Sequence, residues 1–273
     1  MMNSSVLLTF SKNKSIILID ASYYVFYRYF ATIRWFTFQK KVFDVSNVTE
    51  NSEYVENFLK HLSSDLKKIC KKWKTDINNI VFCTDCQRCK IWRNDIYKDY
   101  KASRVQNLNF NNNIFNIFND YISKNNIQKI WFERLEADDI IYLTQRRLKQ
   151  ITDNKIVIIT NDNDYLQLAA ENINIINMQF KDITLRGQQN AKIDLYIKAI
   201  YGDKSDNIQK IASFITKEKA HVISKLDEKD MYKWLDENNV LNKFNFNMKL
   251  ISFENIPSEY VNEFNKNINI AIT

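Results

Sequence analysis

Glycine and proline are scarce in this sequence, which contains two glycines and one proline. A phosphate-binding P-loop and a dinucleotide-binding fingerprint both require several glycines within one short loop. Gly187 and Gly202 stand far apart in the chain, so neither motif can be present. Nucleotide binding through either motif is therefore excluded.

Long apolar runs are also missing. The longest, such as Ile16–Ile19 and Ile156–Ile159, are much shorter than the roughly 20 residues of a membrane span. The stretch MMNSSVLLTFSKNK does not combine a charged start with a long apolar segment, as a secretory signal does. We therefore expect an intracellular, cytoplasmic protein without membrane contact, in which the cysteines remain thiols.

Sulfur and imidazole ligands are too few for a convincing zinc site. The chain has two histidines and four cysteines, and three of the cysteines lie in VFCTDCQRCK, residues 81–90. A structural zinc site needs four ligands, and an iron–sulfur cluster would also lack a nearby fourth cysteine. Cys83 is better explained as a small apolar residue at a strand end. Asp85 is the residue of this stretch that we expect to carry chemistry.

Strand and helix patterns alternate along most of the chain. Short apolar runs predict strands at 15–20, 79–83, 128–132, 155–160 and 173–178. Apolar residues spaced three and four apart predict helices at 54–72, 114–122, 137–151 and 193–200. This order predicts an α/β fold with a mostly parallel sheet. From about residue 192 onward the pattern is helical, which indicates a smaller, all-helical part.

Acidic residues follow four of the predicted strands. They are Asp20, Asp85, the group Glu136, Asp138 and Asp139, and the pair Asp162 and Asp164. The carboxyl ends of parallel strands lie at one edge of a sheet, where ligands bind. Asp203 and Asp206 follow a predicted helix. So many carboxylates at one place need cations, and oxygen ligands without histidine favour Mg²⁺ or Mn²⁺. Two such ions are the usual apparatus of phosphodiester hydrolysis.

Each acidic motif alone has a plainer explanation. The acids of EADD can complement a helix dipole, and Asp162-Asn-Asp164 can form a turn. Because all of them obey the same rule of strand followed by acid, the joint pattern favours a metal site.

Basic and aromatic residues are interleaved between Cys86 and Arg104, within a chain of formal net charge +7. The cations are Arg88, Lys90, Arg93, Lys98, Lys101 and Arg104. The aromatic residues are Trp92, Tyr97 and Tyr100. Cationic side chains that bind phosphates, together with aromatic rings that stack on bases, are typical of single-stranded nucleic-acid binding. The alternative is a solvated helix face anchored by aromatic side chains.

The motif order Asp20, Asp85, YKDYKASR, EADD, TNDNDYLQL and GDKSDNI resembles the 5′ nuclease superfamily, and looks most similar to the RNase H of T-even-type phages. The resemblance implies a PIN-like (resolvase-like) catalytic domain over residues 1–190, with a helical arch at about 86–109. It also implies a helical DNA-binding part over 191–273, with a helix–three-turn–helix-like segment at about 197–225. The implied activity is the removal of RNA primers and 5′ flaps.

The resemblance also assigns roles to residues. A first metal ion would be held by Asp20, Asp85, Glu136, Asp138 and Asp162, and a second by Asp164, Asp203 and Asp206, with Asp139 supporting either ion. Lys101 and Arg104 would contact the scissile phosphate as catalytic residues beside Asp138, and Tyr100 would stack on a terminal base. The remaining nucleic-acid contacts would be Arg88, Lys90, Arg93, Lys98, Lys210, Lys217 and Lys219.

One departure from the family concerns the segment after GDKSDNI. Relatives have a glycine-rich turn there, which approaches the DNA backbone and a monovalent ion, whereas this chain reads NIQKIASFITKEKA. A K⁺ site is therefore doubtful. Expected partners are DNA and RNA–DNA hybrids with free 5′ ends or flaps, bound by a monomer. A sliding clamp or single-strand-binding protein is implied only by resemblance, because no motif for either is present.

Two other functions stay open. A non-catalytic DNA-structure-binding paralogue would be expected to have lost some of the acids. A PIN-type ribonuclease acting on free RNA would be expected to be shorter and to lack GDKSDNI. Comparing the cleavage of flap DNA with that of unstructured RNA distinguishes the last alternative from a 5′ nuclease.

Overall fold

The computed structural model describes residues 5–41, 44–45, 47–104 and 110–273. Its strands are β1 (Val6–Phe10), β2 (Ile16–Asp20), β3 (Ile80–Thr84), β4 (Gln128–Trp131), β5 (Ile156–Ile159), β6 (Ile173–Ile176) and β7 (Ile268–Ile272). Its α-helices are α1 (Ala21–Phe38), α2 (Ser52–Trp73), α3 (Arg93–Ile96), α4 (Asn113–Lys124), α5 (Ala137–Ile151), α6 (Ala191–Tyr201), α7 (Lys217–Ser224), α8 (Glu228–Glu237), α9 (Leu241–Ile251) and α10 (Ser258–Asn267). None of the helices in these ranges is both long and apolar enough to cross a membrane.

Five strands form a parallel sheet in the order β4–β3–β2–β5–β6. After β2 the chain continues to β3, which pairs with one edge of β2, and β5 later pairs with the opposite edge of β2. The carboxyl ends of β2, β3 and β5 therefore flank the point at which the strand order reverses, and open parallel sheets bind ligands at this point. The predicted α/β class with a mostly parallel sheet is confirmed.

Helices cover both faces of the sheet, which explains why its strands are apolar on both sides. Leu18 of β2 packs in the core shared with α5, whereas Ile17 and Ile19 pack in the core beneath α1, α2 and α4. The side chains of one strand thus divide between two layers because successive residues point to opposite faces.

The sequence of α2 has the apolar spacing of an amphipathic helix. Its buried residues recur three and four positions apart, which places them on one face: Tyr54, Phe58, Leu62, Leu66 and Ile69. The side chain of Asn51 caps the first turn by accepting a hydrogen bond from the backbone N–H of Tyr54 at 3.0 Å. The helix predicted at 54–72 is therefore confirmed, with slightly wider bounds.

Helices α6 to α9 surround a third core, which includes Ala199, Met231 and Phe244. The expectation that the chain is helical from residue 192 to its end is wrong for β7, which pairs in parallel with β1. Each strand is five residues long and its partner stands at the other end of the chain, so local patterns gave no signal. The domain division at residues 190 and 191 stays a prediction.

Candidate active site

A cleft of about 640 Å³ lies at the carboxyl edge of the sheet. Five of the predicted ligands line it, namely Asp20, Asp85, Glu136, Asp138 and Asp162. Asp20 ends β2, and the other four follow β3, β4 and β5. The parallel strand order thus brings acids from distant parts of the sequence together.

A second group of carboxylates consists of Asp164, Asp203 and Asp206, which can place one oxygen each within 4.8 Å of the others. Asp164 follows β5, and the other two belong to the loop after α6. Gly202 starts this loop with a φ of 80°, and a Cβ atom at this position would collide with the carbonyl oxygen of Ile208. Glycine is needed here because the left-handed backbone lies against that carbonyl group.

Lys101 lies between the two acidic groups. Its ammonium donates a hydrogen bond to Oε1 of Glu136 and is 4.0 Å from Oδ1 of Asp206. Arg104 pairs with the same Asp206 oxygen at 2.7 Å. The backbone of Lys101 has a φ of 56°, which is uncommon for a residue with a side chain. The YKDYKASR segment therefore places two cations on the carboxylates of the cleft.

Burial and the charges in the cleft together shift the pKa values of its carboxyl groups in opposite directions. Burial alone would raise the pKa of Glu136, but the cations of Lys101 and Arg93 outweigh this effect and lower it to about 2. Burial, with the nearby charge of Asp85, raises the pKa of Asp20 to about 7. Burial and the charge of Asp139 raise the pKa of Asp138 well above its usual value. The protein's cations neutralise some of these acids and leave others in need of positive charge.

Lys198 is a site residue that the sequence analysis missed. It projects from α6 and forms ion pairs with Asp164 and with Asp203, the latter at 2.7 Å. Burial would lower its pKa, but these carboxylates reverse the effect and raise it above the usual value. The available signal was a lysine in the apolar helix sequence directly before GDKSDNI.

Arg93 and Asp139 form a buried ion pair beneath the cleft, with side chains 2% and 0% exposed. The guanidinium contacts both oxygens of Asp139 at 2.7–2.8 Å and also donates to Glu136 at 2.9 Å. Nε1 of Trp92 donates to Asp139 at 2.9 Å. Burial thus separates Arg93 from solvent, and these donors occupy the oxygens of Asp139. The nucleic-acid contact of Arg93 and the supporting role of Asp139 stay predictions.

The remaining predicted nucleic-acid contacts differ in exposure. Arg88, Lys90, Lys98, Lys210, Lys217 and Lys219 are exposed. Tyr100 is 6% exposed and its hydroxyl donates to Glu136 at 3.0 Å, which is a different environment from the predicted stacking position. Lys210 donates to two carbonyl groups of its own loop.

The predicted arch at about 86–109 is described up to Arg104. This part contains a 3₁₀ turn (Arg88–Lys90), helix α3 and a series of turns. Residues 105–109 lie outside the described residues, so the arch as a whole stays a prediction.

Two aromatic residues of α1 also line the cleft, and the sequence analysis did not single them out. Tyr23 and Phe26 follow Asp20 by three and six positions, which brings them to the side of the helix that faces the acids. Phe26 is 38% exposed and stacks on Phe110 with ring centroids 4.1 Å apart. A flat apolar surface therefore adjoins the carboxylates.

Cysteine does not contribute to either group of candidate ligands in the described residues. Burial, with the charge of Asp20, raises the pKa of Cys83 well above its usual value. Burial, with the charge of Glu136, raises the pKa of Cys86 to about 12. Both thiols therefore stay protonated at neutral pH, and a protonated thiol is a poor metal ligand.

The fold and the site together define a resolvase-like α/β domain with an acidic cleft. A family model described as "5′-3′ exonuclease, N-terminal resolvase-like domain" matches residues 15–199. The match covers more than half of the chain, so the chain belongs to the 5′-3′ exonuclease family. The resemblance to the 5′ nuclease superfamily is thereby confirmed, whereas the closer similarity to T-even-type phage RNase H stays a prediction.

Individual relatives agree with this assignment. A 5′-3′ exonuclease of Buchnera aphidicola subsp. Schizaphis graminum is 28% identical over 205 residues, which cover 73% of this chain and 66% of that protein. A 5′-3′ exonuclease of Bacillus subtilis is 27% identical over 251 residues, which cover 88% and 75%. A solved structure of the bacteriophage T5 D15 flap endonuclease with DNA and metal ions shares the fold, with a TM-score of 0.63, 14% identity and coverage of 93% and 97%.

Proposed function

We propose that this chain is a structure-specific 5′ nuclease that hydrolyses phosphodiesters with the help of two divalent metal ions. It would combine 5′-3′ exonuclease, flap endonuclease and RNase H-type activity, and remove RNA primers or 5′ flaps in DNA replication or repair inside the cell. The observation that carries the proposal is one cleft in which carboxylates from four strand ends meet Lys101 and Arg104. Membership of the 5′-3′ exonuclease family supports it.

The donor atoms of the cleft fit magnesium. Both groups of candidate ligands, the five acids of the cleft and the second group, offer carboxylate oxygens, which Mg²⁺ prefers and Mn²⁺ also accepts. Asp20, Asp85, Glu136, Asp138 and Asp162 would hold one ion, and Asp164, Asp203 and Asp206 the other. Lys198 and Arg104 pair with the second group in this structure, so an ion there would replace these cations at some of the oxygens. Bound divalent ions supply Lewis acidity for phosphodiester hydrolysis. Asp139 has a supporting role, because Arg93 already occupies both of its oxygens.

The protein's own cations would orient the substrate phosphate. Lys101 and Arg104 line the cleft together with Arg88, so a phosphodiester that enters it meets three positively charged donors. Guanidinium and ammonium groups bind phosphate oxygens through charge-assisted hydrogen bonds. Tyr23 and Phe26 offer an apolar surface for a base or sugar next to that phosphate.

The proposed substrates are DNA and RNA–DNA hybrids with free 5′ ends or flaps. Duplex contacts would come from exposed lysines of the helical part, Lys217 and Lys219, at the start of α7. The T5 flap endonuclease that shares this fold has been solved with DNA, which supports this class of substrate.

A cleavage assay on a 5′-flapped duplex, an RNA–DNA hybrid and unstructured RNA tests the proposal. We expect short products from the 5′ ends of the first two substrates with Mg²⁺, and none with EDTA. Asp138→Asn should lower cleavage by roughly a thousandfold, since it removes a charged ligand of the proposed metal site, while DNA binding persists. The matched control is Asp153→Asn, an exposed residue at the opposite edge of the sheet, which should cleave normally.

Three results would overturn the proposal. Tight binding of flap DNA without cleavage in Mg²⁺ or Mn²⁺ would indicate a non-catalytic DNA-binding protein. Preferred cleavage of unstructured RNA would indicate a PIN-type ribonuclease. Normal turnover by Asp138→Asn would mean that Asp138 is not a ligand of the metal site and that the proposed site is wrong.

A further inference from the structure

The loop between α6 and α7 contains a lysine whose ammonium points into the loop itself. Nζ of Lys210 donates hydrogen bonds to the carbonyl oxygens of Ser213 at 2.7 Å and Ile215 at 2.9 Å. Both distances are in the range of charge-assisted hydrogen bonds. The side chain thus closes a small ring over the segment that leads into α7.

Two carbonyl oxygens that converge on one point form a site for a positive charge. Backbone carbonyl groups are also the ligands with which proteins bind potassium ions. An ammonium group is a compact cation with three donors, so it can take the same position. A monovalent ion therefore does not fit at these two oxygens, because Lys210 already uses them.

The surroundings hold the loop in this shape. Asn247 is fully buried, and its Nδ2 donates to the carbonyl oxygens of Ala199 and Gln209, both at 2.8 Å. Ile211 and Ile215 flank the ring and are buried in the third core. Buried contacts on both sides of Lys210 thus hold the backbone of this loop in place.

We infer that Lys210 serves as a built-in monovalent cation of this loop, so that the grip of the helical part on duplex DNA does not depend on bound potassium. The part of this inference that concerns DNA rests on the proposed function. It divides the lysines of the segment into two kinds. All three are exposed, but the ammonium of Lys210 donates to carbonyl groups of its own loop, whereas Lys217 and Lys219 at the start of α7 remain for phosphate contact.

The test measures binding of a 5′-flapped duplex by fluorescence anisotropy, with Ca²⁺ in place of Mg²⁺ to prevent cleavage. KCl is compared with tetramethylammonium chloride at equal ionic strength. Wild-type protein should bind equally in both salts. Lys210→Ala should bind about tenfold more weakly in tetramethylammonium, because it loses charge-assisted hydrogen bonds, and should regain several-fold in KCl, since the free carbonyl groups can then accept potassium. The matched control, Lys217→Ala, should weaken binding equally in both salts.

A second measurement needs no DNA. The melting temperature of Lys210→Ala should be higher in KCl than in tetramethylammonium chloride, while that of wild-type protein should be the same in both. Potassium-dependent binding by the wild type, or a Lys210→Ala variant that behaves as Lys217→Ala does, would overturn the inference. If the wild type binds flap DNA in neither salt, the proposed function fails, and the melting experiment alone decides the role of Lys210.

Discussion

Asp138 and Asp139 are neighbours in the sequence, yet they lie in different environments. Successive residues of an α-helix point about 100° apart, so one side chain lines the cleft and the other turns inward. Oδ2 of Asp139 accepts a hydrogen bond from the backbone N–H of Glu136 at 3.1 Å and so caps α5. Adjacent acids can therefore have different roles: Asp138 faces the cleft, and Asp139 holds the start of α5 in place.

Lys101 provides a test of how a cation in the cleft acts. Lys101→Ala should slow cleavage by roughly a hundredfold or more, because the charged donor that we propose for the reacting phosphate is lost. Binding of flap DNA should fall much less, since the exposed lysines and arginines remain. Single-turnover cleavage and anisotropy separate the two effects.

Lys98→Ala is the control for this change, because Lys98 is exposed in the same segment. It should alter the single-turnover rate little. Equal losses of rate and binding in Lys101→Ala would make Lys101 a simple phosphate anchor.

At the scale of elements, Arg93 connects three parts of the chain. It belongs to α3, its guanidinium pairs with acids at the start of α5, and its Nε donates to the carbonyl oxygen of Leu250 in α9 at 2.8 Å. The start of α5, the basic segment and the helical part thus meet at one buried side chain.

Arg93→Met should therefore lower the free energy of unfolding by about 3–5 kcal/mol, because it leaves the buried carboxylate of Asp139 without its partner. Urea unfolding followed by circular dichroism measures this loss. The double variant Arg93→Met/Asp139→Asn should recover part of it, since the unpaired charge is removed.

Arg146→Met is a suitable comparison for this variant, because Arg146 is an exposed residue on the same helix as Asp139. Its effect should stay within about 0.5 kcal/mol. A loss in Arg93→Met as small as that of Arg146→Met would mean that the buried ion pair does not join these elements.

The sequence predicts most of the sheet and the acids at its edge, because both depend on local signals. SIILID and KIVIIT are apolar strands that end in or before acids, and the parallel order brings those ends together. The positions of Arg93 and Lys198 could not be predicted in this way. Their roles depend on which distant carboxylate lies opposite, and charge alone does not distinguish a surface lysine or arginine from a buried one.

At the scale of the whole molecule, the second acidic group joins the sheet to the helical part. Asp164 follows β5, whereas Asp203 and Asp206 follow α6. A divalent ion held by all three would bind only when both parts are folded and in contact.

Mg²⁺ at about a hundred times its dissociation constant should consequently raise the melting temperature by roughly 5–10 °C. EDTA should reverse the rise. Asp164→Asn should reduce the shift, whereas Asp236→Asn, an exposed residue of α8, should keep it. Differential scanning fluorimetry at constant ionic strength measures these melting temperatures. Identical shifts in the two variants would mean that Asp164 does not bind the ion.

The pairing of β1 with β7 also has a consequence for the synthesis of the protein. Val6 pairs with Ile268 and Phe10 with Ile272, so β1 lacks this partner until residues 268–272 have left the ribosome. The five-stranded sheet is complete at Ile176 and can form much earlier. Until β7 has been synthesised, Leu8 and Phe10 lack the cover that it provides, and exposed apolar side chains of this kind make a nascent chain prone to aggregation and to chaperone binding.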